Sequence, residues 1–306
     1  VSTVHLDPGV GDDGIRDLLY RGDLVLFTPS AASLALASHA RRFLEDAFAP
    51  FPPAEAQHHL PVERFVEIFA PVKPAFIHDP GTLERIAALV AEWGMDLAQW
   101  FLDVPRLRGV TSHGYLTAGV GYVHHPHRDT WYAAPRQQLN WWMALYPFDA
   151  SAALAFHPGY ARRAVANDSQ RFDYYQWNAN GRRVAPRMVT TDTRWQPRAT
   201  EALELEPDLR LVIPPGAVLG FSGGLLHSTA RNTSGRTRFS IDFRTVHLGD
   251  LRADRGAPVL DAAARGTSLR DFRRGLDLAP MPDDVVAAHD HAAGADGVLV
   301  FRPDPA

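Results

Sequence analysis

The segment Val123-His124-His125-Pro126-His127-Arg128-Asp129 gathers three imidazoles and a carboxylate within seven residues. In an extended chain alternate side chains share a face, so His127 and Asp129 point the same way and offer two ligands to a divalent cation. A third ligand must come from a distant strand, and His227 in Gly223-Gly224-Leu225-Leu226-His227-Ser228-Thr229 is placed to supply it. Two imidazoles and one carboxylate on one side of an iron leave the opposite positions open. An isolated H-x-D pair is weak evidence, because His5-Leu6-Asp7 satisfies it too and reads as a solvated terminus. His124 and His125, just before Pro126, read as loop or strand-end residues, and His113 and His157 as packed or surface histidines.

Two strands must position these groups. In Gln138-Leu139-Asn140-Trp141-Trp142-Met143-Ala144-Leu145, alternation puts Gln138, Asn140 and Trp142 on one face and Leu139, Trp141, Met143 and Leu145 on the other. Amides inside a barrel are costly unless they bond something. In Arg236–Arg244 the polar face carries Arg238, Ser240 and Asp242, and the apolar face Phe239, Ile241 and Phe243. Arg238 lies eleven residues past His227, room for a strand, a turn at 232–235 and a paired return strand. Its guanidinium fork suits a carboxylate. Arg236 and Arg244 share that face as rivals, with poorer spacing.

Composition narrows the classes. A chain of 306 residues, 46% hydrophobic and 22% charged, can bury a sizeable core. Cysteine is absent, which excludes disulfides, thiolate nucleophiles, iron–sulfur clusters and Cys-type zinc sites. A formal charge of −4 argues against nucleic acid as partner. No apolar run spans a bilayer and no secretion-type start is present, so no membrane partner and a cytoplasmic location are expected. Lys73 is the only lysine among 31 basic residues, an arginine bias typical of GC-rich bacterial genomes.

The expected architecture is a single domain, 1–306, mainly β with flanking helices. Residues 1–106 form a helical layer, 107–248 the β core, and 249–306 a tail with a helix near 269–276. Two amphipathic helices open the fold. Ser30 precedes one carrying Leu36, Ala40, Phe43 and Ala47, and Thr82 caps another carrying Leu83, Ile86, Val90, Trp93, Leu97 and Phe101. Strands are expected at 110–116, 121–125, 138–146, 154–157, 202–206, 209–213, 217–221, 225–229 and 236–246, a pattern of short strands that suggests a sandwich or jelly roll. The insert at 158–200 has the length of a functional lid. From Tyr160 to Arg198 it holds eight arginines against three aspartates, with Tyr174, Tyr175, Trp177, Asn178 and Asn180. That composition suits an anionic or polar, ring-containing small molecule. Arg128, Trp131, Tyr132, Trp177 and Arg182 are the candidate substrate contacts, although Trp131 also reads as core filler.

The order His127-Arg128-Asp129, Trp142-Met143-Ala144-Leu145, Phe156-His157-Pro158-Gly159, Pro215-Gly216, His227 and Arg238 resembles the phytanoyl-CoA dioxygenase-like group of iron(II)/2-oxoglutarate oxygenases over about residues 107–247. The resemblance implies a double-stranded β-helix (a cupin-like jelly roll), with Fe(II) held by His127, Asp129 and His227. It implies that Arg238 binds the distal carboxylate of 2-oxoglutarate with Thr229 or Ser240 assisting, and that Trp142, beside Asn140 and Gln138, adjoins the cosubstrate. It implies O2-driven decarboxylation to succinate and CO2 coupled to hydroxylation, desaturation or ring closure. Asp129 argues against halogenation, whose practitioners lack that carboxylate. Two positions depart from the family pattern: Tyr160-Ala161 follow Pro158-Gly159, and Ala217 stands where an acidic residue is common. A cupin-like metal enzyme independent of 2-oxoglutarate would use the same ligands without Arg238, and a jelly-roll binding protein would need no redox metal.

Overall fold

The computed structural model describes residues 2–181, 188–189 and 191–290. The chain opens with β1 (Val4–Leu6), α1 (Asp12–Tyr20) and β2 (Leu24–Phe27), followed by α2 (Ala31–Phe48), α3 (Val62–His78) and α4 (Pro80–Glu92). Next come β3 (Trp100–Leu102), β4 (Arg106–Val110), β5 (Leu139–Ala144), β6 (Leu154–Phe156) and α5 (Tyr174–Gly181). Then follow β7 (Leu209–Arg210), β8 (Val218–Ser222), β9 (His227–Thr229), β10 (Arg238–His247), α6 (Leu248–Arg252), β11 (Arg273–Arg274) and α7 (Asp283–Ala288). The larger sheet runs β1-β2-β8-β5-β10-β3-β11 with β4 also against β10, and the smaller runs β7-β6-β9. Among the described residues every pairing between these strands except β1–β2 is antiparallel, and the two sheets form the jelly roll.

The ten-residue β10 is the spine, bonded to β5 along one side and to β4 and then β3 along the other. Its period-2 pattern sorts the chemistry as expected. Phe239, Ile241 and Phe243 join Leu139, Trp141, Met143 and Leu145 in the core beneath the helices, while Trp142 packs on the other side with Phe156 and Phe221. Gly220 of β8 lies opposite Trp141, where a Cβ would fall 2.5 Å from the indole ring, so the strand must be bare there.

Helix α2 starts at Ser30 through a reciprocal capping box with Ser33. Thr82 is not the cap of α4. The Asp79 carboxylate caps it, accepting from the Thr82 N–H, with Pro80 at the first helical position. The helix stops at Glu92, and Phe101 belongs to β3. Helices α1 and α3 were not expected. Pro71 and Pro74 fall inside α3 and mimic breakers, but its stripe of Phe65, Phe69, Val72 and Phe76 is seated in the core.

Strands expected at 121–125 and 202–206 are absent, and β4 ends at Val110 rather than starting there. Past β4 the Thr111 hydroxyl and the Leu116 backbone bond each other around His113 and Gly114, both at positive φ, which closes a turn. In 202–206 the Glu204 N–H donates to the Tyr160 hydroxyl, and the Leu205 carbonyl contacts His157, so these groups are satisfied without a partner strand. The described part of the expected tail, 249–290, is packed on the body of the fold. Leu269, Phe272, Met281, Val285 and Val286 pack on Phe101 and Val246, and the expected helix near 269–276 is a 3-10 turn (Ser268–Asp271) followed by β11 on the sheet edge. Among the described residues no helix is long and apolar enough to cross a membrane.

Candidate metal centre and its cavity

The two remote segments are joined by backbone before any side chain meets. His127 and His227 form an antiparallel bridge, each N–H donating to the other's carbonyl at 2.9 and 3.0 Å. The Asp129 N–H donates to the Gly223 carbonyl, and the Gly223 N–H to that of Gln138. Arg128 between them is extended, so alternation holds through this stretch and turns His127 and Asp129 to one side.

One ligand atom each from His127, Asp129 and His227 lies within 4.8 Å of the others, and all three residues are buried. Both Nε2 atoms face Asp129 Oδ1, at 3.5 Å from His127 and 3.9 Å from His227. Those gaps exceed a good hydrogen bond but are spanned by two bonds of about 2.1 Å to one ion. Each imidazole places Nδ1 2.8 Å from the carbonyl two residues earlier, His125 for His127 and Leu225 for His227. Nδ1–H must therefore donate there, which leaves the Nε2 lone pair for a metal. Burial, with His127 beside it, depresses His227 to about 4, so the ring is neutral at pH 7. Burial would raise the Asp129 carboxyl, yet Arg244 and the two imidazoles hold it well below the usual carboxylate range. The donor set fits a divalent iron.

Two of the polar side chains at the start of β5 that line the cavity also grip Asp129. Gln138 Nε2 and Asn140 Nδ2 donate to Asp129 Oδ2 at 2.8 and 2.7 Å, with Arg244 Nε at 3.5 Å. Oδ2 is thus occupied, and Oδ1 faces the two imidazoles. Removing an outer partner of this kind typically weakens metal binding about 10–100-fold. Gln138→Leu is expected to raise the iron(II) dissociation constant by that order, read by anaerobic metal titration.

Arg238 lines the same cavity of about 390 Å³ with Thr229, Ser240 and Trp142. Its guanidinium lies 5.2 Å over the Trp142 ring and donates to Ser240 Oγ at 3.1 Å, while its buried Nε has no partner among the described residues. Burial lowers it to about 10. The rivals are occupied: Arg244 bonds Asp103 and Asp129, and Arg236 faces Glu55 at the surface. A buried cation with an orphaned donor beside three metal-ligand atoms is what a bidentate dicarboxylate would satisfy.

The candidate substrate contacts separate. Tyr132 and Trp177 line the cavity, and the buried Tyr132 hydroxyl has no partner among the described residues. Arg128 and Trp131 do not line it. Arg128 is clamped by Asp261 and the carbonyls of Gly224, Tyr160 and Arg163, and Trp131 donates to Asp261 at 2.7 Å. The alternation that turns His127 and Asp129 inward turns Arg128 away. Arg182 lies outside the described residues. Phe172, Tyr174, Trp177 and Arg194 of the insert border the cavity, as do Tyr122 and His124. His125 bonds Tyr122 and the Pro197 carbonyl, His157 bonds Ser228, and His5 pairs with Asp23 away from any cluster. Lys73 and the Arg108–Asp242 pair also line the cavity, and neither had been assigned a part from sequence.

A jelly roll enclosing a His-Asp-His cluster and an unpaired guanidinium is the architecture of the iron(II)- and 2-oxoglutarate-dependent oxygenases. The chain belongs to the phytanoyl-CoA dioxygenase (PhyH) family, whose model matches residues 70–240. It is accordingly an oxygenase that uses Fe(II), 2-oxoglutarate and O2. Similar solved structures include EvdO2 from Micromonospora carbonacea var. aurantiaca complexed with 2-oxoglutarate (14% identity, 78% of this chain and 92% of that one, TM-score 0.45). The epimerase SnoN in complex with Fe3+, alpha ketoglutarate and nogalamycin RO is another (16%, 77% and 85%, 0.40), as is the non-heme monooxygenase ThoJ (13%, 90% and 92%, 0.43). No curated protein matches the chain.

Proposed function

We propose that this oxygenase hydroxylates, desaturates or cyclises an anionic or polar, ring-bearing small molecule in bacterial specialised metabolism, with His127, Asp129 and His227 as iron ligands and Arg238 as the anchor of 2-oxoglutarate. One observation carries the reading: three converging ligand atoms and a buried, carboxylate-free guanidinium share one cavity. Iron(II) with 2-oxoglutarate supplies O2 activation coupled to release of succinate and CO2. The chain's own part is positional. Leu225 and His125 carbonyls fix the imidazole tautomers, Gln138 and Asn140 hold Asp129 Oδ2, and Ser240 and Trp142 steady Arg238. Phe172, Trp177 and Tyr132 supply flat apolar walls for a ring, and the free Tyr132 hydroxyl a hydrogen bond to it. The arginine bias of the composition supports the bacterial setting.

The test is to incubate iron(II)-loaded protein with 2-oxoglutarate and O2 and screen compounds for stimulated succinate release. The expected product is formed one-for-one with succinate and has gained one oxygen atom or lost two hydrogens. Turnover of a substrate without 2-oxoglutarate consumption would refute the reading.

A further inference from the structure

Six cationic side chains line the cavity among the described residues, and four are matched by carboxylates. Arg106 and Arg244 share Asp103 at 2.8 and 3.3 Å, Arg108 takes Asp242 at 2.6 Å, and Arg194 takes Asp192 at 2.5 Å. Among the described residues Arg238 and Lys73 have no carboxylate partner. The reading above assigns Arg238 to 2-oxoglutarate, which leaves Lys73.

Lys73 projects from α3, the helix that packs on β4 and on the Gly119–Gly121 turn. Its Nζ donates to the Val120 carbonyl at 2.9 Å and lies 5.2 Å from the Phe69 ring centroid. An ammonium has three N–H donors, and the structure uses one. The neighbouring Gly119 is tied to the insert by Asp192 and Arg194. Lys73 thus stands where the helical layer meets the insert, beside Arg194, which in turn lies 5.5 Å over the Trp177 ring.

We propose that Lys73 anchors the substrate, its Nζ taking an anionic oxygen group, a carboxylate or a phosphate, while Arg238 holds the cosubstrate. This assignment rests on the oxygenase reading and adds the substrate's chemical class to it.

The residue type supports it. The chain uses arginine at 30 of its 31 basic positions and lysine only here. Burial, with Arg108, Arg194 and Arg106 nearby and Asp242 partly offsetting them, pulls the amine down to about 7. A guanidinium cannot shed its charge at such a place, whereas an amine can, and it regains the proton when an anion arrives.

The test uses anaerobic iron(II) protein saturated with 2-oxoglutarate and three probes, benzoate, phenyl phosphate and benzamide. As the only lysine, Lys73 is read in the wild-type protein by mass spectrometry of its acetylation by acetic anhydride. Benzoate or phenyl phosphate is expected to protect it saturably and benzamide not; the more protective anion identifies the group. By calorimetry, Lys73→Met should weaken binding of that anion roughly 10–100-fold, the scale of a hydrogen bond to a charged group. Absence of saturable protection by either anion, equal protection by benzamide, or unchanged anion affinity in Lys73→Met overturns the assignment. The visible absorption of the iron–2-oxoglutarate complex, recorded on the same samples, separates the two layers. Its absence defeats the oxygenase reading, and its presence without an anion response defeats only the role of Lys73.

Discussion

His227→Ala protein is expected to release no succinate from 2-oxoglutarate and to bind iron(II) far more weakly than wild type. The loss should exceed the roughly 10–100-fold that removal of a mere outer partner costs, because the proposed ligand set would then lack one of its three atoms. Folding should survive. His227 is held in place by its backbone bridge to His127 and its pairing with β6, neither of which needs the imidazole. The ring does pack against Phe221 at 4.9 Å, so some stability will be lost with it. Iron content after anaerobic loading, succinate yield and a circular dichroism melt measure the three quantities. A variant that folds, loads iron and makes succinate normally would remove His227 from the ligand set and leave the bridge as its only role.

Arg238→Met tests the other half of the site and should separate stability from function by sign. Truncating one partner of a buried charged pair typically costs about 2–5 kcal/mol of binding. The KM for 2-oxoglutarate is therefore expected to rise by roughly 30-fold or more, while iron binding in the absence of cosubstrate stays near wild type. The cosubstrate-free protein should be no less stable, and even slightly more so. Arg238 is buried without a carboxylate and with Nε unbonded, and replacing such a group by an apolar side chain relieves its desolvation. Arg238→Lys should recover only part of the affinity, since an ammonium restores charge but not the two-pronged fork. Equal KM in wild type and Arg238→Met would show that the dicarboxylate is held elsewhere.

The legible parts of the molecule were those with strong local periodicity. The alternation in 138–145 and 236–244 sorted polar from apolar faces correctly, because a strand's side-chain period is fixed by backbone geometry and a one-residue slip would bury the wrong face. It also marked His127 and Asp129 as neighbours on one face. The same rule contained the answer for Arg128, which must point the other way. Helix α3 was hidden because Pro71 and Pro74 carry a local signal opposed to helix, and only the core seat of Phe65, Phe69 and Phe76 overrides it. The strands expected at 121–125 and 202–206 failed for the opposite reason. Their residues have strand-like patterning, but the Ala118 carbonyl takes the Gly121 N–H, the His125 carbonyl accepts from the His127 ring, and the Tyr160 hydroxyl takes the Glu204 N–H.

From sequence alone came the candidate ligand types, the shared face of two of them in one extended stretch, the guanidinium suited to a carboxylate, and the exclusion of sulfur chemistry. Those follow from residue identity and from the short-range geometry of an extended chain. Which cations are spent on Asp103, Asp129, Asp192 and Asp242 and which stay free was decided only by the fold. Arg106–Asp103 and Arg194–Asp192 are close in sequence, but Arg108 meets Asp242 and Arg244 meets Asp103 and Asp129 across more than a hundred residues, where no local pattern encodes the pairing. That is why Gln138 and Asn140 proved to hold Asp129, and why a solitary lysine on a helix acquired a place in the cavity.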